Sequence, residues 1–393
     1  MKKFAAGINR EFILFLAAVA LFGFGQSTVD STFNNFLSET FAITNFQRGI
    51  LELPREMPGF LVVFFSALLS FMCTRRLAAF AFLLAGAGIF LVGFYTPAYA
   101  VMLVWLFIFS AGLHLFLPLS SGIGMEFAEE GRTGRVLGRL NGAMNLAMIT
   151  GSFIVFIGFK YLDFNFTASF TVAAAAFLAG AILIFLMKPD EPLPAKTKFK
   201  LRREYRLFYW LNILFGTRKQ IFLTFAPWVL VTVFRQKTAL VATLLTIGGI
   251  LGIFFKPLLG RWIDRFGERV ILMGEAFVLI FVCIGYGYSR HFLAEGPAMY
   301  LAFACYILDQ LLMSVSMARA TYLKKIAVAP EEVSQTLTMG VSIDHIFSIS
   351  IALASSLIWQ YLGYEYVFLL GGAIALVNLF SASRIVTKKS SPA

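Results

Sequence analysis

Charged residues are scarce in this chain of 393 residues, because Asp, Glu, Lys and Arg together make up only 14% of it. Soluble domains carry roughly a quarter of such residues, so the composition argues against a water-soluble fold. Apolar runs of roughly 20 residues recur, each long enough to cross a ~30 Å hydrocarbon core as a helix. They lack the alternation that a membrane β-barrel requires. The sequence therefore predicts an all-α polytopic membrane protein.

Cysteine and histidine are also rare, with three of each in the chain. Cys73, Cys283 and Cys305 form no Cys-x-x-Cys pair, so the sequence predicts neither a disulfide framework nor a metal site. No Ser-His-Asp series, metal-ligand helix or phosphate-binding loop occurs in a suitable setting. We therefore predict no enzymatic activity, no metal and no cofactor.

Acidic residues are outnumbered, since 33 Lys and Arg face 21 Asp and Glu, giving a net charge of +12. Most basic residues fall at the termini and in alternate predicted loops, including Arg75, Arg319 and the 188–206 segment. The opposite loops hold few, Arg48 among them. This asymmetry follows the positive-inside rule and predicts that both termini lie in the cytoplasm. We expect the membrane to be a bacterial cytoplasmic membrane. The asymmetry accounts for the basic charge without nucleic acid.

The apolar runs predict twelve membrane-spanning helices. The first six spans are 12–37, 46–71, 76–95, 99–122, 135–159 and 166–187. The last six are 207–233, 239–262, 269–288, 297–322, 335–360 and 364–384. A basic, proline-containing linker at 188–206 separates them, so we expect two six-helix bundles, 1–187 and 207–393.

An internal repeat supports this division of the chain. An offset of 193 residues aligns LFGFG at 21–25 with LFGTR at 214–218 and, without a gap, brings Phe41 onto Phe234. Two parallel six-helix repeats are a transporter architecture, in which the solute binds between the halves near the midplane.

A loop motif stands between the eighth and ninth spans, where residues 260–270 read GRWIDRFGERV. It resembles the loop signature of the major facilitator superfamily, whose defining positions are filled by Gly260, Asp264, Arg265, Gly267 and Arg269. The resemblance implies a cavity lined by spans one, four, seven and ten, and a loop that stabilises one conformation of an alternating cycle. In physical terms, the glycines allow a tight turn. Asp264 is suited to a helix N-terminus, and the arginines to carboxylates or carbonyls.

The matching loop between spans two and three departs from that pattern. Ala67 and Phe71 stand where the offset expects Gly and Asp, and Arg76 alone is kept. We expect the two loops to act unequally. The fifth span also lacks the Gly-Pro pair associated with many proton-driven exporters of the family, which weighs weakly against a drug antiporter.

Span one carries polar residues at helical spacing. Gln26, Asp30 and Asn34 share one face of the predicted helix. Ionisable residues inside a membrane are costly and indicate function by default, so this face is a candidate lining of the solute cavity. Polar contacts that hold helices together are the alternative.

Span two contains LELPREMPGF at 51–60, with three charges between two prolines. Glu52 and Arg55 are three apart and can pair, which leaves Glu56 as the candidate proton carrier. Pro54 and Pro58 remove backbone donors and predict a bend or a broken turn. Proton coupling and a structural ion network at a gate are both open interpretations.

The second half places further ionisable residues in predicted spans. Arg218 and Lys219 in span seven need acidic partners or an anionic solute, and Glu52, Glu56 or Asp30 are possible partners. Asp309 lies in span ten. Asp344 and His345 lie in span eleven, where His345 is either a proton sensor or a packing histidine.

We interpret the chain as a secondary active transporter that moves a small polar, anionic or zwitterionic solute by alternating access with proton coupling. The predicted partners are the solute, protons and the bilayer, and the chain is predicted to be a monomer. A lipid or amphiphile flippase on the same scaffold is the alternative, and a non-transporting receptor is less favoured. The predicted solute residues are Gln26, Asp30, Asn34, Arg218, Lys219 and Asp309. The predicted coupling or gate residues are Glu52, Arg55, Glu56, Asp344 and His345.

Overall fold

The structure is a computed structural model that describes residues 10–69, 71–127, 133–190 and 202–386. These residues are helical and contain no strand, as the apolar runs predict. Most of the predicted linker, residues 191–201, lies outside the described part of the chain.

Seven helices form the first half of the described chain. They are α1 (Arg10–Phe41), α2 (Asn45–Ile50), α3 (Glu52–Leu68), α4 (Thr74–Phe94), α5 (Tyr99–Glu126), α6 (Thr133–Tyr161) and α7 (Phe166–Phe185). The second half contains α8 (Arg206–Thr232), α9 (Thr238–Phe292), α10 (Glu295–Leu312), α11 (Ser316–Ile326), α12 (Pro330–Leu362) and α13 (Tyr364–Ala382). Short 3₁₀ turns precede α8 at Arg203–Tyr205 and join α10 to α11 at Met313–Val315.

Nine helical segments within the described residues are long and apolar enough to cross a membrane. One of them, α9, has 55 residues and would extend about 80 Å at ~1.5 Å per residue, far beyond one bilayer. Gly267 interrupts α9 with φ 82° and ψ 162°, a conformation that glycine adopts at little cost. The interruption falls between predicted spans eight and nine.

A helix boundary falls at Leu51, within predicted span two, and its position has a local cause. Helix α2 begins at a capping box, in which the Thr44 side chain and the Gln47 side chain bond to each other's backbone. Helix α3 begins at Glu52. Pro54 has no N–H to donate to the carbonyl four residues earlier, that of Ile50, so the helix is interrupted beside that residue.

The helices form two compact units that are discontinuous in sequence. Unit 1 comprises 1–41, 57–195 and 237–249, and unit 2 comprises 42–56, 196–236 and 250–393. Part of span two thus belongs to unit 2, and part of span eight to unit 1.

The two exchanged segments, 42–56 in unit 2 and 237–249 in unit 1, follow the internal repeat. The 193-residue offset maps Ala42 onto Arg235, and these residues have positive φ angles of 46° and 53°. The same offset maps 42–56, the segment in unit 2, onto 235–249, most of which is in unit 1. Equivalent backbone turns at equivalent positions support the interpretation of the sequence as two repeats.

Each unit has its own aromatic core. In unit 1, the ring of Phe22 packs against Phe82, Phe116 and Phe177 with centroids 4.6 to 5.8 Å apart. In unit 2, the ring of Phe368 lies 5.2 Å from that of Phe222 and 4.7 Å from that of Tyr286. Packing of this kind, with small residues at the closest helix contacts, drives helix association in membranes.

Candidate functional site

Three consecutive polar residues of α8 contact three different sets of neighbours within unit 2. Arg218 contacts α9 and α10, Lys219 contacts α12, and Gln220 contacts α3. Consecutive residues on a helix diverge by about 100°, so one short segment can join several surrounding helices. These contacts organise the polar interior of unit 2.

Arg218 belongs to a closed cluster of four charges. Its guanidinium pairs with Asp309 and lies 3.5 Å from Glu275 Oε1. Arg319 completes the cluster, with Nη1 3.1 Å from Glu275 Oε2 and its guanidinium 3.6 Å from the ring centre of Phe215. None of the four charged side chains is more than 3% exposed. Two cations and two anions balance, so the cluster needs no ligand to be neutral.

Two of these four charges were not among the predicted site residues. Arg319 was predicted to be a loop cation, but it is buried in α11 because Glu275 and the Phe215 ring hold it. Glu275 stands alone in the apolar run ILMGEAFVL, a pattern that by itself indicates a buried acid with a partner. The partners of Arg218 are thus Asp309 and Glu275, whereas the sequence left Glu52, Glu56, Asp30 or a solute as possible partners.

Lys219 and Asp344 form a second, more accessible ion pair. Lys219 Nζ lies 2.7 Å from Asp344 Oδ2, and the side chains are 21% and 10% exposed. Gly216, one turn before Gln220 on α8, makes room for this carboxylate. A Cβ at Gly216 would lie 1.2 Å from Asp344 Oδ1. Glycine therefore allows the close approach of α12 to α8 at this point.

Glu52 contacts three other residues, which together form a third group of contacts. Its Oε1 lies 2.6 Å from Arg48 Nη1 and 3.4 Å from Arg55 Nη1, so the predicted pair with Arg55 is present but is the longer of the two. Its Oε2 accepts a hydrogen bond of 2.9 Å from Gln220. Arg48 was predicted to be a loop cation, but it is fully buried in α2, where it faces Glu52 one turn away.

Glu56 and His345 form a fourth set of contacts. His345 Nδ1 lies 2.8 Å from Glu56 Oε2, and both side chains are 11% exposed. The neighbouring residues Asp344 and His345 thus reach different helices, α8 and α3. Because Glu52 contacts α8 and Glu56 contacts α12, the contacts close a ring through α3, α8 and α12. We call this the polar ring of unit 2; it consists of Glu52, Glu56, Lys219, Gln220, Asp344 and His345.

The predicted residues of α1 belong to unit 1, whereas the polar ring belongs to unit 2. Gln26 and Asp30 are half-buried, and Asn34 is buried. Ser27 and Ser31 join α1 to α6, because their hydroxyls each lie 3.2 Å from Ser152 Oγ. Ser27 and Ser31 directly follow Gln26 and Asp30 in the sequence, and their hydroxyls hold α1 against α6.

The signature residues of the 260–270 loop lie at the surface. Asp264, Arg265 and Arg269 are exposed, and the structure shows no ion pair between them and another described residue. The charge that this loop buries is Glu268, fully buried and 2.8 Å from Lys325 Nζ of α11. Glu268 directly follows Gly267 at the start of a helical segment, where a negative charge is favoured.

In unit 1, Arg75 lies in the segment that the 193-residue offset aligns with residues 260–270. Its guanidinium lies 3.2 Å from Glu11 and 3.1 Å from Glu126, and its backbone N–H donates to Asp190 Oδ1 at 3.0 Å. Burial raises the pKa of Asp190, but hydrogen bonds from Arg75, Thr74 and Cys73 outweigh it and leave the pKa below its usual value. Arg75 thus ties α4 to α1, α5 and the residues after α7.

Comparisons with known proteins agree with this architecture. The family model of the Major Facilitator Superfamily matches residues 57–327, whereas no curated protein matches the chain. A nucleoside transporter structure is 13% identical with a TM-score of 0.77, covering 96% of this chain and 100% of that one. A D-xylose-proton symporter gives 13% and 0.73, with coverage of 96% and 97%. A POT family transporter in complex with 5-aminolevulinic acid gives 14% and 0.74, with 96% of both chains covered.

At such low identity the solved structures establish the fold, while the family model covers well over half of the chain. The helices, the loop motif and these matches lead to one conclusion. The chain is an integral membrane protein that belongs to the major facilitator superfamily of transporters.

Proposed function

We propose that the protein is a secondary active transporter that moves a small polar solute by alternating access, and that the polar ring of unit 2 is its solute and proton site. One observation carries the proposal: the partly accessible ion pair Lys219–Asp344 and the more buried contact Glu56–His345 lie in one ring, joined by the adjoining residues Asp344 and His345. Ionisable groups inside a membrane protein are costly and mark solute or proton pathways.

The exposure of the side chains supports different roles for the two groups of charges. Arg218, Asp309, Glu275 and Arg319 are shielded and mutually neutralised, which supports a role in holding helices together. Lys219 and Asp344 are the more accessible pair. We propose that a solute carboxylate binds Lys219 and that a solute ammonium or hydroxyl binds Asp344.

This pair fits an anionic or zwitterionic solute. The similar solved structures are of a nucleoside transporter, a D-xylose-proton symporter and a POT family transporter in complex with 5-aminolevulinic acid. The last compound bears both a carboxylate and an ammonium group, so it is a useful first probe. The family likeness supports transport, and the ion pair supports this choice of solute class.

The charges around the ring point to His345 as the coupling group. Five cations (Arg48, Arg55, Arg218, Lys219 and Arg319) and five anions (Glu52, Glu56, Glu275, Asp309 and Asp344) surround the ring or belong to it. With neutral His345 these charges balance. A proton on His345 adds one positive charge, and an anionic solute would offset it. We therefore propose proton symport through Glu56 and His345.

We propose further that the chain divides into halves at the 188–206 linker. Both termini lie in the cytoplasm, and the membrane is a bacterial cytoplasmic membrane. The supporting observations are the internal offset and the placement of the basic residues.

The experiment is a thermal-shift screen on purified full-length protein, at pH 5.5 and 7.5, with 5-aminolevulinic acid, amino acids, dicarboxylates, nucleosides and sugars as probes. A ligand that binds the folded state raises the melting temperature. We expect carboxylate-bearing probes to stabilise the wild type, more at the lower pH, and Lys219→Gln to lose the effect. Stabilisation by uncharged sugars alone, unchanged in Lys219→Gln, would overturn the assignment of the solute site.

A further inference from the structure

The exposed side of α9 carries an apolar stripe that ends beside a row of arginines. Phe254, Leu258, Trp262 and Phe266 follow one another at four-residue intervals and are 73%, 37%, 38% and 50% exposed. Residues four apart share a helix face. No other described part of the chain covers these four side chains fully.

Arg261 and Arg265 have the same helical spacing as the stripe, shifted by one residue. Arg261 and Arg265 are exposed directly before Trp262 and Phe266, and Arg269 is exposed after the break at Gly267. The inward-facing neighbours Leu259 and Ile263 are 2% and 4% exposed. The helix before Gly267 is therefore fixed in orientation, and Arg261 and Arg265 stand beside the last two residues of its exposed stripe.

The charge of this surface is strongly positive. The structure shows no ion pair between Arg261, Arg265 or Arg269 and another described residue. Glu268 of the same loop is fully buried and pairs with Lys325, so only Asp264 presents an exposed negative charge on the segment. A tryptophan flanked by arginines at the end of a membrane helix is typical of the headgroup level of a bilayer.

We propose that Arg261, Arg265 and Arg269, with Trp262 and Phe266, form a binding surface for anionic phospholipid headgroups. The guanidinium groups bind the lipid phosphate, for which their planar donors are suited, and the aromatic rings contact the first carbons of the acyl chains. Each basic residue near an anionic membrane surface strengthens binding roughly fivefold. This surface is separate from the polar ring, and its function does not depend on the identity of the solute.

The test uses full-length protein in detergent, titrated with dioleoyl phosphatidylglycerol or dioleoyl phosphatidylcholine, with bound lipid counted by native mass spectrometry. We expect the wild type to bind phosphatidylglycerol at least tenfold more tightly than phosphatidylcholine. The triple variant Arg261→Gln, Arg265→Gln, Arg269→Gln should lose most of that preference. The corresponding triple Lys variant should keep more than half of it, which separates loss of charge from misfolding.

A matched control changes three basic residues outside this surface, Lys160→Gln, Lys237→Gln and Arg290→Gln, and should keep the preference. An equal preference in wild type and the Arg-to-Gln triple variant would overturn the proposal, as would an equal loss in the control. Full competition by glycerol 1-phosphate at the lipid concentration would show that the surface binds free phosphate esters and would also overturn it.

Discussion

His345 Nδ1 lies 2.8 Å from Glu56 Oε2 and joins α12 to α3 within unit 2. Sequence position alone separates these residues by 289 places, yet they meet in the same ring as Lys219 and Asp344. The proposed coupling rests on this arrangement, because a proton on one pair would change the charge that the other can accept.

The stability of the protein should depend strongly on the buried pair of Arg218 and Asp309. Asp309→Asn leaves a buried guanidinium with less compensation, and breaking a buried pair typically costs about 3–5 kcal/mol. We expect a large fall in the melting temperature of the purified protein. Lys219→Gln should cost less than about 1 kcal/mol, because that side chain is 21% exposed and accessible pairs contribute little.

A double variant distinguishes lost charge balance from lost packing. Arg218→Met combined with Asp309→Leu removes both members and should recover part of the stability that Asp309→Asn loses. A double variant less stable than Asp309→Asn would contradict the charge-balance explanation.

Gly216 should be required for the Lys219–Asp344 pair. The Cβ of alanine at this position would overlap Asp344 Oδ1, so Gly216→Ala must displace the carboxylate at a cost of roughly 1–3 kcal/mol. We expect lower thermal stability together with weaker stabilisation by carboxylate probes. Gly274→Ala is the control, because nothing lies within 4 Å of the added carbon. It should be neutral or stabilise by up to about 1 kcal/mol.

Asp190 should contribute to stability in a defined range of pH. Despite burial, which raises it, its pKa is held below the usual value by hydrogen bonds led by that from the Arg75 backbone. A lowered carboxyl pKa stabilises the fold above the unfolded-state pKa of about 3.9, and this stabilisation is lost as the pH falls through the folded-state pKa. Asp190→Asn should therefore lower the melting temperature slightly at pH 7.

The difference between Asp190→Asn and wild type should shrink as the pH approaches 3.5. Melting curves recorded from pH 7 to 3.5 provide the measurement. A difference that grows toward low pH would mean that the sign of this linkage is wrong.

The sequence was sufficient for the fold class and for most helix positions, because apolar length and loop charge are local properties. The loop motif at 260–270 led to the family, which the family model confirms. The pairing of Glu52 with Arg55 also followed from helical spacing, since the residues are one turn apart.

The partners of the other charges did not follow from local pattern. Arg48 and Arg319 look like loop cations by position, but both are buried because α3 and α9 place carboxylates beside them. Whether Lys219 meets Asp344 or Glu56 depends on how α3, α8 and α12 are rotated. That rotation results from close contacts such as the one at Gly216, which cannot be read from hydropathy. The roles of these residues in transport stay predictions.

The measurement that tests the proposal most directly is uptake by proteoliposomes of the best-binding carboxylate probe, with and without an inward proton gradient. We predict that the gradient drives accumulation by the wild type and by His291→Gln, whose histidine lies exposed at the end of α9. His345→Gln and Glu56→Gln should lose accumulation but retain binding of the probe. Uptake that is independent of the pH gradient, or full gradient-driven accumulation by Glu56→Gln, would contradict proton coupling through this pair.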